Sequence, residues 1–139
     1  MSATAERTPK MLLIDDDPVI VEAMTAYFQM VGIDVLTSPS VFEIPYVIGR
    51  EKPDVVLLDI GMPVLDGAKI LQSLSERARL STHVILFSGR SRRELAVMVE
   101  QLGAADCISK SEDMSSIERR VRFWIRAGHE KMAATSERS

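Results

Sequence analysis

The chain has 139 residues, enough for one domain with a single sizeable core, and its 17 basic against 20 acidic residues leave a net charge of -3. The basic residues are scattered apart from Arg90/Arg92/Arg93 and Arg119/Arg120/Arg122, which argues against direct nucleic-acid binding. The lone Cys107 forms no intramolecular disulfide, His83 and His129 make no metal-ligand pattern with it, and no signal region or membrane-length apolar run is present, so a cytoplasmic protein without membrane insertion is expected.

Residues 1–9 are polar and unpatterned, an expected frayed tail. Met11 to Ile14 reads as a strand, followed by Asp15-Asp16-Asp17 and a helix whose apolar residues Ile20, Met24, Phe28 and Val31 share one face, with Gly32 as its stop. Asp17 before Pro18 is a good N-cap with proline at the first helical position. Ile33 to Leu36 is a weaker strand. Residues 41–50 predict a short or distorted helix: Ser40 and Glu43 have capping-box spacing, but Pro45 would remove an amide bond one turn in and Gly49 adds freedom. Val55 to Leu58 runs straight into Asp59, then a loop carries Gly61, Met62, Pro63, Asp66 and Gly67 into a helix with Ile70, Leu71 and Leu74. Val84 to Phe87 stops on Ser88, a helix with Leu95, Met98, Val99 and Leu102 stops at Gly103, and a short strand at Cys107 and Ile108 precedes Lys110. The last helix carries Met114, Ile117, Val121, Trp124 and Ile125. The domain is set at 10–127, with 128–139 as a polar C-terminal tail.

Five strands alternating with five helices predict an α/β fold with a doubly wound parallel sheet covered on both faces. In such sheets ligands bind where the strands end at their carboxyl side. That rule brings the acids after the first strand, Asp59, Ser88 and Lys110 to one rim. Crowded carboxylates repel unless a cation offsets them, and hard oxygen donors suit Mg²⁺. A metal would also ease the approach of a phosphoryl group to Asp59 as nucleophile, with Ser88 and Lys110 holding the transferred oxygens.

Leu-Ile-Asp-Asp-Asp-Pro at 13–18, Pro-Asp-Val-Val-Leu-Leu-Asp at 53–59, Met62-Pro63 with Asp66-Gly67, Ser88 after an apolar strand, and Lys110 after Gly-Ala-Ala-Asp-Cys-Ile-Ser occur in order. Over about residues 10–127 the sequence resembles a response-regulator receiver domain of two-component phosphorelay signalling. The resemblance implies a flavodoxin-like sheet of strand order 2-1-3-4-5. It implies that Asp59 accepts a phosphoryl group from a histidine kinase or histidine phosphotransfer protein, making the chain a signalling phosphoprotein that catalyses only its own phosphorylation and dephosphorylation. Mg²⁺ would be held by Asp16 directly, with Asp15 helping through water, Asp59 in the same set and the Gly61 backbone carbonyl contributing. A downstream target would dock on the face made by the fourth helix, fifth strand and fifth helix, and a single-domain regulator would act through it.

Departures from the family pattern bear on signalling. Cys107 stands where an aromatic switch residue is usual, and Ser111 follows Lys110 where proline is usual, which puts the customary cis peptide in doubt. Gly61 and Arg90 occupy positions that tune phosphoryl lifetime, and the loop from Gly89 to Arg93 is the segment expected to respond to Ser88. Two rival readings remain open. Asp15-x-Asp17-x-Val19 also fits the nucleophile motif of haloacid-dehalogenase-type phosphatases, with Asp15 attacking, although no Gly-Asp-x-x-x-Asp follows Lys110. The other is a receiver-like module that binds a partner without being phosphorylated.

Overall fold

The structure is a computed structural model that describes residues 7–38, 41–61 and 82–138. Ser40, Met62, Pro63, Asp66, Gly67 and the helix read at Ile70, Leu71 and Leu74 lie outside the described residues, as does most of the N-terminal tail. Five strands, β1 (Lys10–Ile14), β2 (Asp34–Thr37), β3 (Val55–Asp59), β4 (His83–Ser88) and β5 (Asp106–Ser109), form one sheet in the order β2-β1-β3-β4-β5. Every pairing is parallel. Four described helices accompany them: α1 (Pro18–Met30), α2 (Ile44–Glu51), α3 (Arg92–Leu102) and α4 (Met114–Arg138). This is the doubly wound, flavodoxin-like arrangement and strand order expected.

The continuous apolar runs follow from helices on both faces, since alternate residues of one strand serve opposite sides of the sheet. Met11, Leu13, Val55, Leu57, Ile85 and Phe87 join Met24 and Phe28 of α1 and Ile117, Val121 and Ile125 of α4 in one core. Leu12, Ile14, Val56, Leu58, Val84 and Leu86 pack against Ile44, Val47 and Ile48 of α2, with Met98, Val99 and Leu102 of α3 on the same side. Fully burying side chains such as Phe28 and Leu57 contributes about 1.5–3 kcal/mol apiece. The strands are thereby held in register, and their carboxyl ends come into line.

Helix ends are set by local chemistry. Asp17 is extended and its Oδ1 accepts from the Val19 amide at 2.9 Å, with Pro18 at the first helical position. At the other end of α1, Gly32 adopts φ +90°, the Gly32 amide donates to Gln29 O and the Ile33 amide to Phe28 O, a Schellman termination.

The short, distorted helix expected at 41–50 is present, and the reading of the chain's end is revised. The segment after residue 40 is a 3₁₀ turn, Val41–Glu43, leading into α2, so Pro45 falls in the first helical turn, where its missing amide costs no helical bond. Glu43 is the residue at the cap, and its side chain makes no cap bond. The last helix does not stop near 127 but continues to Arg138, through the residues read as a polar tail. Those residues lack an apolar stripe, yet Ala, Glu, Lys, Met and Arg are strong helix formers, and a helix already nucleated on the core extends at little cost.

Candidate functional site

The rim at the carboxyl ends of β1, β3, β4 and β5 gathers the residues that the sequence singled out. Asp15 follows β1, Asp59 and Ser88 are the last residues of β3 and β4, and Lys110 follows β5. Carboxylate oxygens of Asp15, Asp16 and Asp59 all lie within 4.8 Å of one another. Asp16 is exposed and Asp59 is buried, so the cluster reaches solvent at Asp16.

Lys110 is the cation set against these acids. Its Nζ lies 2.7 Å from Asp15 Oδ2, 3.3 Å from Asp59 Oδ2, and 5.5 Å from the centre of the Phe87 ring. Partial burial acts to lower the basicity of the ammonium, but the Asp15 and Asp59 carboxylates outweigh it and hold Lys110 above its ordinary range. The other oxygens are fixed by main chain: Asp59 Oδ1 accepts from the Gly61 amide and Asp15 Oδ1 from the Asp17 amide, both at 2.9 Å. Gly61 is also close in space, because a Cβ there would stand 3.3 Å from Asp59 Oδ1.

Ser88 is joined to the cluster through the backbone, the Lys110 amide donating to Ser88 O at 2.8 Å. Its hydroxyl oxygen accepts from the Arg90 amide at 3.2 Å. The Arg90 guanidinium pairs at 3.9 Å with Glu94, and Gly89 faces open space. All peptide bonds among the described residues are trans, the one between Lys110 and Ser111 included.

Cys107 is half-buried on β5 against the α3 side of the core. Burial, followed by the nearby Asp106 carboxylate, raises its thiol above the ordinary range. Sequence reading gave no role to its surroundings. Arg120 of α4 donates to both Asp106 oxygens at 3.1 and 2.6 Å, and Trp124 donates to Asp106 Oδ2 at 2.9 Å. No local motif marks these partners, which lie on different elements. A readable signal was overlooked nearby: Ser91 and Glu94 have capping-box spacing and form that box at the start of α3.

The donor set fits a divalent cation. Asp15 Oδ2 is buried and takes no hydrogen bond of regular geometry among the described residues, answering only to the Lys110 charge, and three hard carboxylates share one small volume.

A five-stranded parallel sheet with an acidic rim, a buried strand-end aspartate and a lysine after the last strand defines the receiver class of α/β domains. The chain belongs to the response regulator receiver domain family, whose family model matches residues 11–122, and is thus a signalling domain of two-component systems. The transcriptional activator protein PfeR of Pseudomonas aeruginosa is 32% identical over 119 residues, covering 86% of this chain and 38% of that protein. The probable C4-dicarboxylate response regulator DctR of Bacillus subtilis is 36% identical over 108 residues, 76% of this chain and 47% of that protein. The chain therefore spans less than half the length of these two relatives. Among solved structures, the beryllofluoride-activated N-terminal receiver domain of Klebsiella pneumoniae RstA superposes with a TM-score of 0.73 at 30% identity, covering 84% of this chain and 98% of that one. No helix among the described residues is long and apolar enough to cross a membrane.

Proposed function

We propose that this domain receives a phosphoryl group on Asp59 from the phosphohistidine of a histidine kinase or histidine phosphotransfer protein. The observation that carries this reading is the setting of Asp59: buried, with Oδ1 held by the Gly61 amide and Oδ2 turned to Lys110 beside two further acids. An Asp59 oxygen attacks phosphorus, the P–N bond breaks, and the imidazole departs with the electron pair. Lys110, already within reach of Asp59, balances charge on the transferred oxygens, and the Ser88 hydroxyl donates to them. Asp15, Asp16 and Asp59 with the Gly61 carbonyl would hold Mg²⁺, which supplies charge neutralisation for the incoming phosphoryl group.

The phosphatase alternative needs Asp15 as nucleophile. The Asp15 side chain has no exposure, and its two oxygens face the Asp17 amide and Lys110, which favours a holding role. Gly61 borders the acceptor, and Gly61 and Arg90 hold the positions that would tune the lifetime of the phosphoryl group. The chain spans only part of its relatives, so output is proposed for the domain alone: phosphorylation alters the surface of α3, β5 and α4, where a target protein or a further domain docks. This is a cytoplasmic role in which the receiver domain itself does not touch nucleic acid, consistent with its net charge of -3.

Acetyl phosphate with Mg²⁺, followed by borohydride trapping and peptide mapping, tests the assignment. Label is expected at Asp59. Label at Asp15 would favour the phosphatase reading, and absence of label anywhere would favour an unphosphorylated binding module.

A further inference from the structure

Ser109 closes β5 and Lys110 follows it, so the direction of the Lys110 side chain depends on how the chain turns toward α4. That turn is bonded throughout. The Lys110 amide is held by Ser88 O, and the Glu112 amide donates to Ser109 O at 3.1 Å, which puts Lys110 and Ser111 at the two central positions of a β-turn. Ser109 Oγ accepts from the Ser111 amide at 3.2 Å and shares a hydrogen bond with Ser111 Oγ at 2.8 Å. Glu112 Oε2 accepts from the Ser109 amide at 3.1 Å. Ser109 therefore commits its amide, its carbonyl and its hydroxyl to this one turn.

The start of the next helix does not need these bonds. Asp113 caps α4 by itself, its Oδ1 accepting from the Ser116 amide at 2.8 Å and from the Ser115 hydroxyl at 3.0 Å. Ser111 stands where proline is usual, and it brings an amide hydrogen that proline lacks, which is one of the bonds closing the turn. A long lysine stem has many rotamers, so its ammonium is held 2.7 Å from Asp15 and 3.3 Å from Asp59 at less entropic cost when the backbone beneath it is already fixed.

We propose that Ser109 and Ser111 are positioning residues for phosphoryl uptake: the turn they close with Glu112 aims Lys110 at the acidic rim, and they act only through the placement of its ammonium. The inference rests on the Asp59 reading above. Opening the turn leaves the lysine in the chain but spreads its ammonium over more positions, so less of it stands ready beside Asp59 when a phosphoryl group arrives.

The test is a double-mutant cycle on the full chain, with acetyl phosphate and Mg²⁺ and incorporation followed by intact mass spectrometry. Ser109→Ala, which removes both hydroxyl bonds, should slow uptake roughly fivefold. Ser109→Thr keeps the hydroxyl and should recover most of the rate. In a Lys110→Met background, itself slow, Ser109→Ala should slow uptake no further. Equal slowing in both backgrounds, or none in either, overturns this inference and leaves the acceptor reading intact. Absence of label on the wild-type chain overturns the acceptor reading and this inference with it. A second measurement needs no phosphoryl transfer: NMR of the two Cε protons of Lys110, which are inequivalent while the ammonium is fixed against Asp15. They should draw together in Ser109→Ala and stay apart in Ser109→Thr. An equal splitting in wild type and Ser109→Ala would overturn the inference, and so would protons already equivalent in the wild type, since the lysine would then not be held.

Discussion

β3 is flanked by two buried aspartates that have opposite surroundings. Asp54, just before the strand, accepts from Arg7 at 3.0 Å on one oxygen and from the Lys10 amide at 2.9 Å on the other, while its own amide donates to Lys10 O at 2.8 Å. Asp59, at the far end, keeps one amide donor and must share Lys110 with Asp15, which holds the lysine more closely. A buried carboxylate answered locally ties strands together. One crowded by like charge next to a shared cation is under tension that a ligand can relieve. Burial alone does not separate the two cases; the neighbours do.

The sharpest way to break this comparison is to neutralise each acid in turn. Asp59→Asn should abolish phosphoryl incorporation from acetyl phosphate while the fold persists. Asp54→Ala should leave incorporation intact but lower stability by about 1 kcal/mol, because it strands the part-buried Lys10 amide, with the half-exposed Arg7 adding little. Urea denaturation beside a phosphorylation assay reads both, and a loss of incorporation in Asp54→Ala would erase the distinction. Next in size is the metal. Asp16→Ala should remove most Mg²⁺ binding in a titration, whereas Asp17→Ala should mainly cost about 1 kcal/mol as a lost helix cap. Equal loss of Mg²⁺ in both variants would mean that the wrong acid has been placed at the metal.

Much of this was readable beforehand, for physical reasons that also mark where reading stops. Val55-Val-Leu-Leu is legible because a strand buried on both faces needs no alternation, and Asp59, Ser88 and Lys110 are legible because parallel strands end together. α2 was blurred because the effect of Pro45 depends on where the helix starts, which a 3₁₀ turn decides. The run of α4 to Arg138 was missed because propensity without an apolar stripe gives a weak signal. Nothing in the spacing says that Lys110 lies nearer Asp15 than Asp59, or that Arg120 and Trp124 meet Asp106, since such contacts are set by how helices lie on the sheet.

The Asp106 network offers a pH test of a carboxylate that, like Asp54, is answered on both oxygens. Burial would raise Asp106, but bonds from Arg120, Trp124 and the Cys107 amide outweigh it and hold the carboxyl below its ordinary value of 3.8. A depressed folded-state value means that the stabilisation is fully present above that ordinary value and is lost as pH falls through the lower folded value. Wild type should therefore exceed Asp106→Asn in denaturation midpoint at neutral pH, and the two should converge in acid below about pH 3.8. A gap that stays constant into acid would place the stabilisation in packing rather than charge.

The smallest expected effect separates site from scaffold at two glycines. A Cβ at Gly49, within α2, meets nothing within 4 Å, so Gly49→Ala should stabilise the helix by about 0.5 kcal/mol and leave the chemistry untouched. At Gly61 the added carbon would stand 3.3 Å from Asp59 Oδ1, tight enough that the carboxylate must give way by a few tenths of an ångström. The backbone there is not in the left-handed region, so stability should change by no more than about 0.5 kcal/mol. The displaced oxygen is bonded to the Gly61 amide, however, and its partner oxygen faces Lys110, so both contacts must readjust. Phosphorylation of Gly61→Ala should slow by roughly threefold, about 0.6 kcal/mol at the barrier. An unchanged rate in Gly61→Ala, measured beside Gly49→Ala under the same acetyl phosphate conditions, would show that the orientation of Asp59 is not set at this glycine.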